Sequence, residues 1–247
     1  KEFFGSSEKV QKDDLRKKIT SLEWELIKAT LEEQGKKSSI AEIEEHIRAN
    51  TRPFFLWKLN FGEVFLSDSR HEGGFDIVVG NPPYNELRDL SAGEQSDYKR
   101  SPYYEHALGG RVNLFQFFYP LAIIISNRPA TICLITQNSL LGEDSALRNR
   151  RLIVESSRII RFVSFPERDD TKKRVFESAK MSVCIGILNV MKSVPADYAF
   201  EINVWYDKYF TNGHVLRLNL SEIRNIFPNN LVFPLSTESS FKILKTI

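Results

Sequence analysis

The chain has 247 residues, 42% hydrophobic and 27% charged, with a formal net charge of +2 at pH 7. That length and balance suit a globular protein with a full core, of one domain or one and a half. No apolar run approaches the ~20 residues of a bilayer-spanning helix, and so small a net charge neither demands nor excludes nucleic acid.

The two cysteines, Cys133 and Cys184, lie in apolar runs with neither metal-ligand nor disulfide-framework spacing. This predicts buried reduced thiols, no metal site and a cytoplasmic protein. The first residues carry no signal-peptide pattern.

In chain order, residues 13–50 read as helix. Leu15, Ile19, Leu22, Leu26 and Ala29, then Ile40, Ile43 and Ile47, recur at three-to-four spacing among Lys and Glu residues. Gly35 to Ser39 break the run, and Ser39 with Glu42 has the spacing of a capping box. Residues 1–52 are therefore expected to form a solvated helical hairpin, with a basic face toward DNA phosphates as the alternative. Pro53 ends it, and Phe54 to Trp57 with Phe61 to Phe65 form an aromatic approach to the next element.

Gly73 and Gly74 lead into Phe75-Asp76-Ile77-Val78-Val79, an apolar run expected to be a buried parallel strand. It stops at Asn81-Pro82-Pro83-Tyr84, because two prolines lack the N–H groups a central ladder needs. The tetrapeptide thus falls at the carboxyl end of the strand, where open α/β sheets bind ligands. Its groups suit one chemistry. The Asn81 side-chain oxygen and the Pro82 carbonyl are acceptors, and Tyr84 adds an aromatic face. Two acceptors on an exocyclic amine turn its lone pair out of ring conjugation and stabilise the positive charge that develops as nitrogen attacks.

Residues 85–110 are polar and read as a long loop. There Lys99, Arg100 and Arg111 interleave with Tyr98, Tyr103 and Tyr104, as in a nucleic-acid contact; loop composition explains them nearly as well. Residues 112–127 read as a helix and Ala130 to Thr136 as a second buried strand, parallel to the first through a right-handed crossover. Gln137 and Asn138 then fall at the same sheet edge as Asn81. A helix over 144–156 and a strand over 159–165 follow. A charged loop holds Arg168, Lys172, Lys173 and Arg174, and a strand over 181–190 completes an antiparallel hairpin at the sheet edge. From Ser193 the pattern changes to aromatic-rich short strands.

The strand ending in Asn-Pro-Pro-Tyr resembles motif IV of S-adenosylmethionine-dependent amino methyltransferases, above all adenine-N6 DNA methyltransferases. Trp57, Leu59, Phe61, Val64, Phe65, Gly73, Gly74, Phe75 and Asp76 fit the approach to that motif in type IIG restriction–modification enzymes of the Eco57I-like family. Ile135 to Leu140 is similar to motif VI, with Gln137 where Pro is usual, and Val175-Phe176 resembles motif VIII. The resemblance implies an α/β fold, a partial Rossmann-like methyltransferase sheet with a helical amino-terminal segment and an antiparallel last strand. It implies transfer of a methyl group from S-adenosylmethionine to N6 of an adenine flipped out of double-stranded DNA.

Asn81, Pro82 and Tyr84 take the catalytic positions, and Pro83, Phe176 and Asn138 contact the substrate. Tyr84 and Phe176 sandwich the base, while Asp76 and Asn81 face the cofactor. Residues 53–192 are the catalytic half, and 193–247 lead into a truncated target-recognition region, of which Asn229 to Leu235 resembles the start. The Gly-rich motif I that holds the cofactor has no counterpart before Phe75, and no nuclease centre is found. The expectation is a fragment whose upstream cofactor half and downstream recognition domain lie in the same parent. Alternatives are an amino methyltransferase acting on RNA or protein glutamine, and a non-catalytic DNA-binding or scaffold module.

Overall fold

A computed structural model describes residues 9–33, 35, 37–49, 55, 57–65 and 73–246. The chain divides into two compact units, residues 1–66 and 67–247.

The first unit is helical: α1 (Lys9–Glu33), α2 (Lys37–Arg48) and two single turns, α3 (Trp57–Asn60) and α4 (Gly62–Phe65). Gly35, at φ +68°, turns the chain between the long helices, and Lys28 Nζ meets Glu44 Oε1 at 2.9 Å across them. Because α2 begins at Lys37, Ser39 lies inside the helix and is not its cap. Trp57 stacks on Phe61 with ring centroids 5.9 Å apart, so the aromatic approach makes a local cluster.

The second unit is a sheet with helices. Its strands are β1 (Phe75–Gly80), β2 (Ser126–Gln137), β3 (Ser157–Phe165), β4 (Val183–Val190), β5 (Ala199–Trp205) and β6 (Gly213–Asn219). The helices are α5 (Ala92–Arg100), α6 (Phe118–Ile125), α7 (Ser139–Gly142), α8 (Leu147–Ser156), α9 (Leu220–Ile226) and α10 (Glu238–Leu244). Strand order is β1-β2-β4-β3-β5-β6. β1 is parallel to β2, and β3 to β5, whereas β4 runs against both β2 and β3. The fold is α/β with a mixed sheet, as expected.

Two expectations about the sheet are corrected. The β3–β4 hairpin is not at the edge: β4 inserts between β2 and β3, and β5 with β6 extend the sheet beyond them. Residues 193–247 thereby share the sheet and its core. Segment 229–235 packs there too, with Phe233 against Phe162 and Phe200. The second correction concerns β1, which is itself the edge strand among the described residues. Ile77 and Val79 are 68% and 72% exposed.

Alternation along the strands explains this asymmetry. Ile132, Leu134, Leu188, Phe162, Ile202 and Leu216 point to one face, where α6, α8, α9 and α10 cover them in one core. The opposite face carries Ile77 and Val79 at one end and the Arg161–Glu201–Arg217 ion pairs at the other. Gly74 is required where the chain enters β1, since a Cβ there would stand 2.5 Å from the Asn127 nitrogen.

Among the described residues no helix is long and apolar enough to cross a membrane. Cys184 is buried and Cys133 half-buried, both as free thiols.

Candidate active site

β1, β2, β3 and β5 run in one direction, so their carboxyl ends share an edge. Asn81 to Tyr84 leave β1 there. Pro82 is buried, Asn81 and Pro83 are exposed, and Tyr84 is half-buried. The β1–β2 ladder ends with Gly80 opposite Leu134, which leaves the next carbonyl of β2 to the loop. The Tyr84 hydroxyl donates to it, Ile135 O, at 3.0 Å, and to Asn81 Oδ1 at 2.8 Å. Burial pushes the phenol up to about 12, so it remains a donor throughout the neutral range.

Phe176 reaches the same place from the loop between β3 and β4. Its ring centroid lies 5.8 Å from that of Tyr84, the planes inclined at 55°. Two rings clasping a third plane stand about 7 Å apart, twice an ordinary carbon–carbon contact. The structure therefore brings the expected pair together but closes them on each other. Among the described residues no donor reaches the Pro82 carbonyl, so that acceptor is available.

Of two other assigned residues, Asp76 lies away from this edge, while Asn138 is at it, as expected, with its side chain turned away from the loop. Asp76 is the second residue of β1, about 16 Å of strand from Asn81 at ~3.3 Å per residue, and accepts from Asn127 Nδ2 at 3.0 Å. It does not join Asn81 at the carboxyl edge. Asn138 Oδ1 accepts from Ser164 Oγ at 3.0 Å, which turns it toward β3. The neighbouring Gln137 instead donates to the Tyr84 carbonyl, at 3.4 Å.

Residues 85–110 are more ordered than their polarity suggests. α5 has a Ser91–Glu94 capping box, and Leu87, Ala107, Leu114 and Phe117 form a small second core. Tyr98 and Tyr104 pack on Phe117 with centroids 4.6 and 5.2 Å away, so both are partly buried against this core. Arg111 and Arg88 pair with Glu86 and hold its carboxyl below the usual range, Arg111 foremost. Lys99, Arg100 and Tyr103 remain exposed.

The Phe176 loop is tied to the β5–β6 turn. Lys208 N donates to Lys173 O at 2.7 Å, and Lys208 Nζ pairs with Glu177. The exposed cations Arg168, Lys173 and Lys180 each have an acidic neighbour, Asp169 or Asp170.

Sequence reasoning missed Asn113, whose Nδ2 donates to Tyr84 O at 2.6 Å. An Asn before an apolar run signals a helix cap, but nothing local announces its second partner. Among the described residues, none of the strands opens onto a Gly-x-Gly turn, and no group of His, Cys, Asp or Glu is placed to hold a metal. At this edge the described residues bring together the acceptors of Asn81 and Pro82 and the rings of Tyr84 and Phe176.

The family model of the Eco57I restriction-modification methylases matches residues 6–171. No match is found among curated proteins. A Listeria monocytogenes protein described as a class I S-adenosylmethionine-dependent methyltransferase is similar in structure over 56% of this chain and 38% of its own, at 14% identity and TM-score 0.40. The type IIG restriction endonuclease BpuSI is similar over 61% of this chain and 20% of its own, at 12% identity and TM-score 0.44. A modification subunit of a type I restriction enzyme from Vibrio vulnificus is similar over 60% of this chain and 34% of its own, at 12% identity and TM-score 0.44. The chain thus spans between 20% and 38% of the length of these proteins.

Proposed function

Because this chain belongs to the Eco57I restriction-modification methylase family, we propose that it carries the substrate half of an S-adenosylmethionine-dependent methyltransferase acting on N6 of adenine in DNA. The observation that carries this reading is the grouping of Asn81, Pro82, Tyr84 and Phe176 at one sheet edge. An adenine extruded from the duplex would donate its amino hydrogens to Asn81 Oδ1 and Pro82 O. Those acceptors favour the developing ammonium over the neutral amine. Tyr84 and Phe176 would separate to admit the base and hold its ring.

Support for a partner half comes from β1. A parallel strand pair is normally covered on both faces, yet among the described residues no strand pairs with the outer edge of β1, and Ile77 and Val79 are exposed. A cofactor-binding half, supplied by the parent protein, would lie against that edge and face.

The test is methyl transfer from labelled S-adenosylmethionine to duplex DNA by the enzyme containing this chain. Asn81→Ala is expected to lower turnover by about a hundredfold to a thousandfold while DNA affinity changes little. Retained turnover sinks the assignment. Calorimetric titration of the isolated chain with S-adenosylmethionine is expected to show no saturable binding.

A further inference from the structure

Resting on the reading above, we propose that Asn113 is a positioning residue that sets the Asn81–Tyr84 loop in its working orientation. The two prolines fix their own φ angles, so the remaining freedom of the loop lies largely at its exit, Tyr84 and Asn85. That exit is clamped from one place. Asn113 Nδ2 donates to Tyr84 O at 2.6 Å, Leu114 N donates to Asn85 O at 2.8 Å, and Leu87 N donates to Val112 O at 2.9 Å.

The other end of the same amide faces the opposite way. Asn113 Oδ1 accepts from Phe115 N at 3.3 Å and starts the turn over Leu114–Phe117. Asn113 thus uses its donor on the loop and its acceptor on the helix, and an amide of this length supplies both.

The clamp is itself anchored. Gln116 Oε1 accepts from Asn113 N at 2.6 Å, and Gln116 Nε2 donates to Ser145 O at 2.7 Å. Asn149, on α8, donates to Gln116 O at 2.9 Å. Gln116 and Asn149 are buried, where unmade hydrogen bonds are costly. A relay of three amides therefore transmits the rigidity of α8 to the loop. Its consequence is catalytic because a misplacement of about 1 Å at a reacting group can cost about a hundredfold in rate.

Asn113→Ser separates the two roles, since a serine hydroxyl can still cap the turn but cannot reach Tyr84 O. In the chain as it stands, Asn113→Ser is expected to raise hydrogen exchange over residues 84–87 at least tenfold, with residues 115–118 and the melting temperature little changed. Equal exchange in both segments, or loss in both together, overturns the proposal. In the methylating enzyme, kcat is expected to fall about tenfold to a hundredfold with KM for DNA within about twofold. An unchanged kcat while Asn81→Ala is inactive removes the role of Asn113 alone. Turnover by Asn81→Ala removes the reading of the site, while the exchange result still stands or falls by itself.

Discussion

The Tyr84 hydroxyl donates to the Asn81 side-chain oxygen at 2.8 Å, so the ring assigned to hold a base occupies the acceptor assigned to its amine. One phenol O–H is shared between that oxygen and Ile135 O. On the proposed function, base entry would exchange one hydrogen bond for another at Asn81, an exchange close to neutral in energy.

Tyr84→Phe removes the plug and keeps the ring. It is expected to cost about 1 kcal/mol of stability, the net value of such a bond, and to leave methyl transfer within about tenfold of the parent. Tyr84→Ala loses the ring as well and is expected to be far less active. Urea unfolding and initial rates of the two variants check this.

Alkaline stability gives a second handle. The folded Tyr84 phenol lies near 12 against an ordinary 10.0, so its contribution is complete below pH 10 and is lost as pH rises toward 12. Melting temperatures measured from pH 9 to 12 should fall more steeply for the parent than for Tyr84→Phe. Tyr119 and Cys184, both pushed up by burial, act in the same direction but are common to both proteins.

Arg150 is buried, and its guanidinium bonds Leu140 O at 3.0 Å, Glu143 O at 2.7 Å and Asn230 O at 2.8 Å. Desolvation lowers its pKa to about 10, so it remains charged at neutral pH. Arg150→Met strands the Leu140 and Asn230 carbonyls, while Glu143 O keeps the Ala146 N–H, and is expected to cost about 2–3 kcal/mol, read by denaturant unfolding.

Gly186 provides the room behind the site that Tyr119 needs. A Cβ there would stand 2.9 Å from the Tyr119 hydroxyl and 3.2 Å from Phe162. Gly186→Ala is expected to destabilise by about 1–3 kcal/mol through overpacking, seen as a lower melting temperature.

Val79→Ser tests the open face. At 72% exposure the side chain contributes little here, and stability should change by less than about 1 kcal/mol. Association with the proposed cofactor half, followed by S-adenosylmethionine binding to the assembled enzyme, should weaken measurably.

Much of this molecule was legible before its structure. Compact apolar runs marked β1, β2, β3 and β4, because burial on a pleated surface leaves a local imprint. The Asn81–Tyr84 stop was legible because proline chemistry is local. What failed was non-local. Nothing in residues 183–190 says that they pair with 130–137 as well as 157–165, so the place of β4 could not be read from adjacency. Ile77 and Val79 look like core residues until the sheet edge is known. The packing of Tyr98 and Tyr104 is set by Phe117, a residue well downstream. Asn113 carries an ordinary capping signal, and its partner stands 29 positions away.

The reversed direction of β4 has one more effect. β3 ends and β4 begins at the edge where Asn81 leaves β1, so residues 166–182 form an arch whose feet stand on adjacent strands of the same sheet. Phe176 rides on a span moored at each end to neighbouring central strands. Lys208 ties both sides of Phe176 to the β5–β6 turn, through Lys173 O and Glu177, so on the proposed reading any displacement of that ring would be felt at β5 and β6 as well.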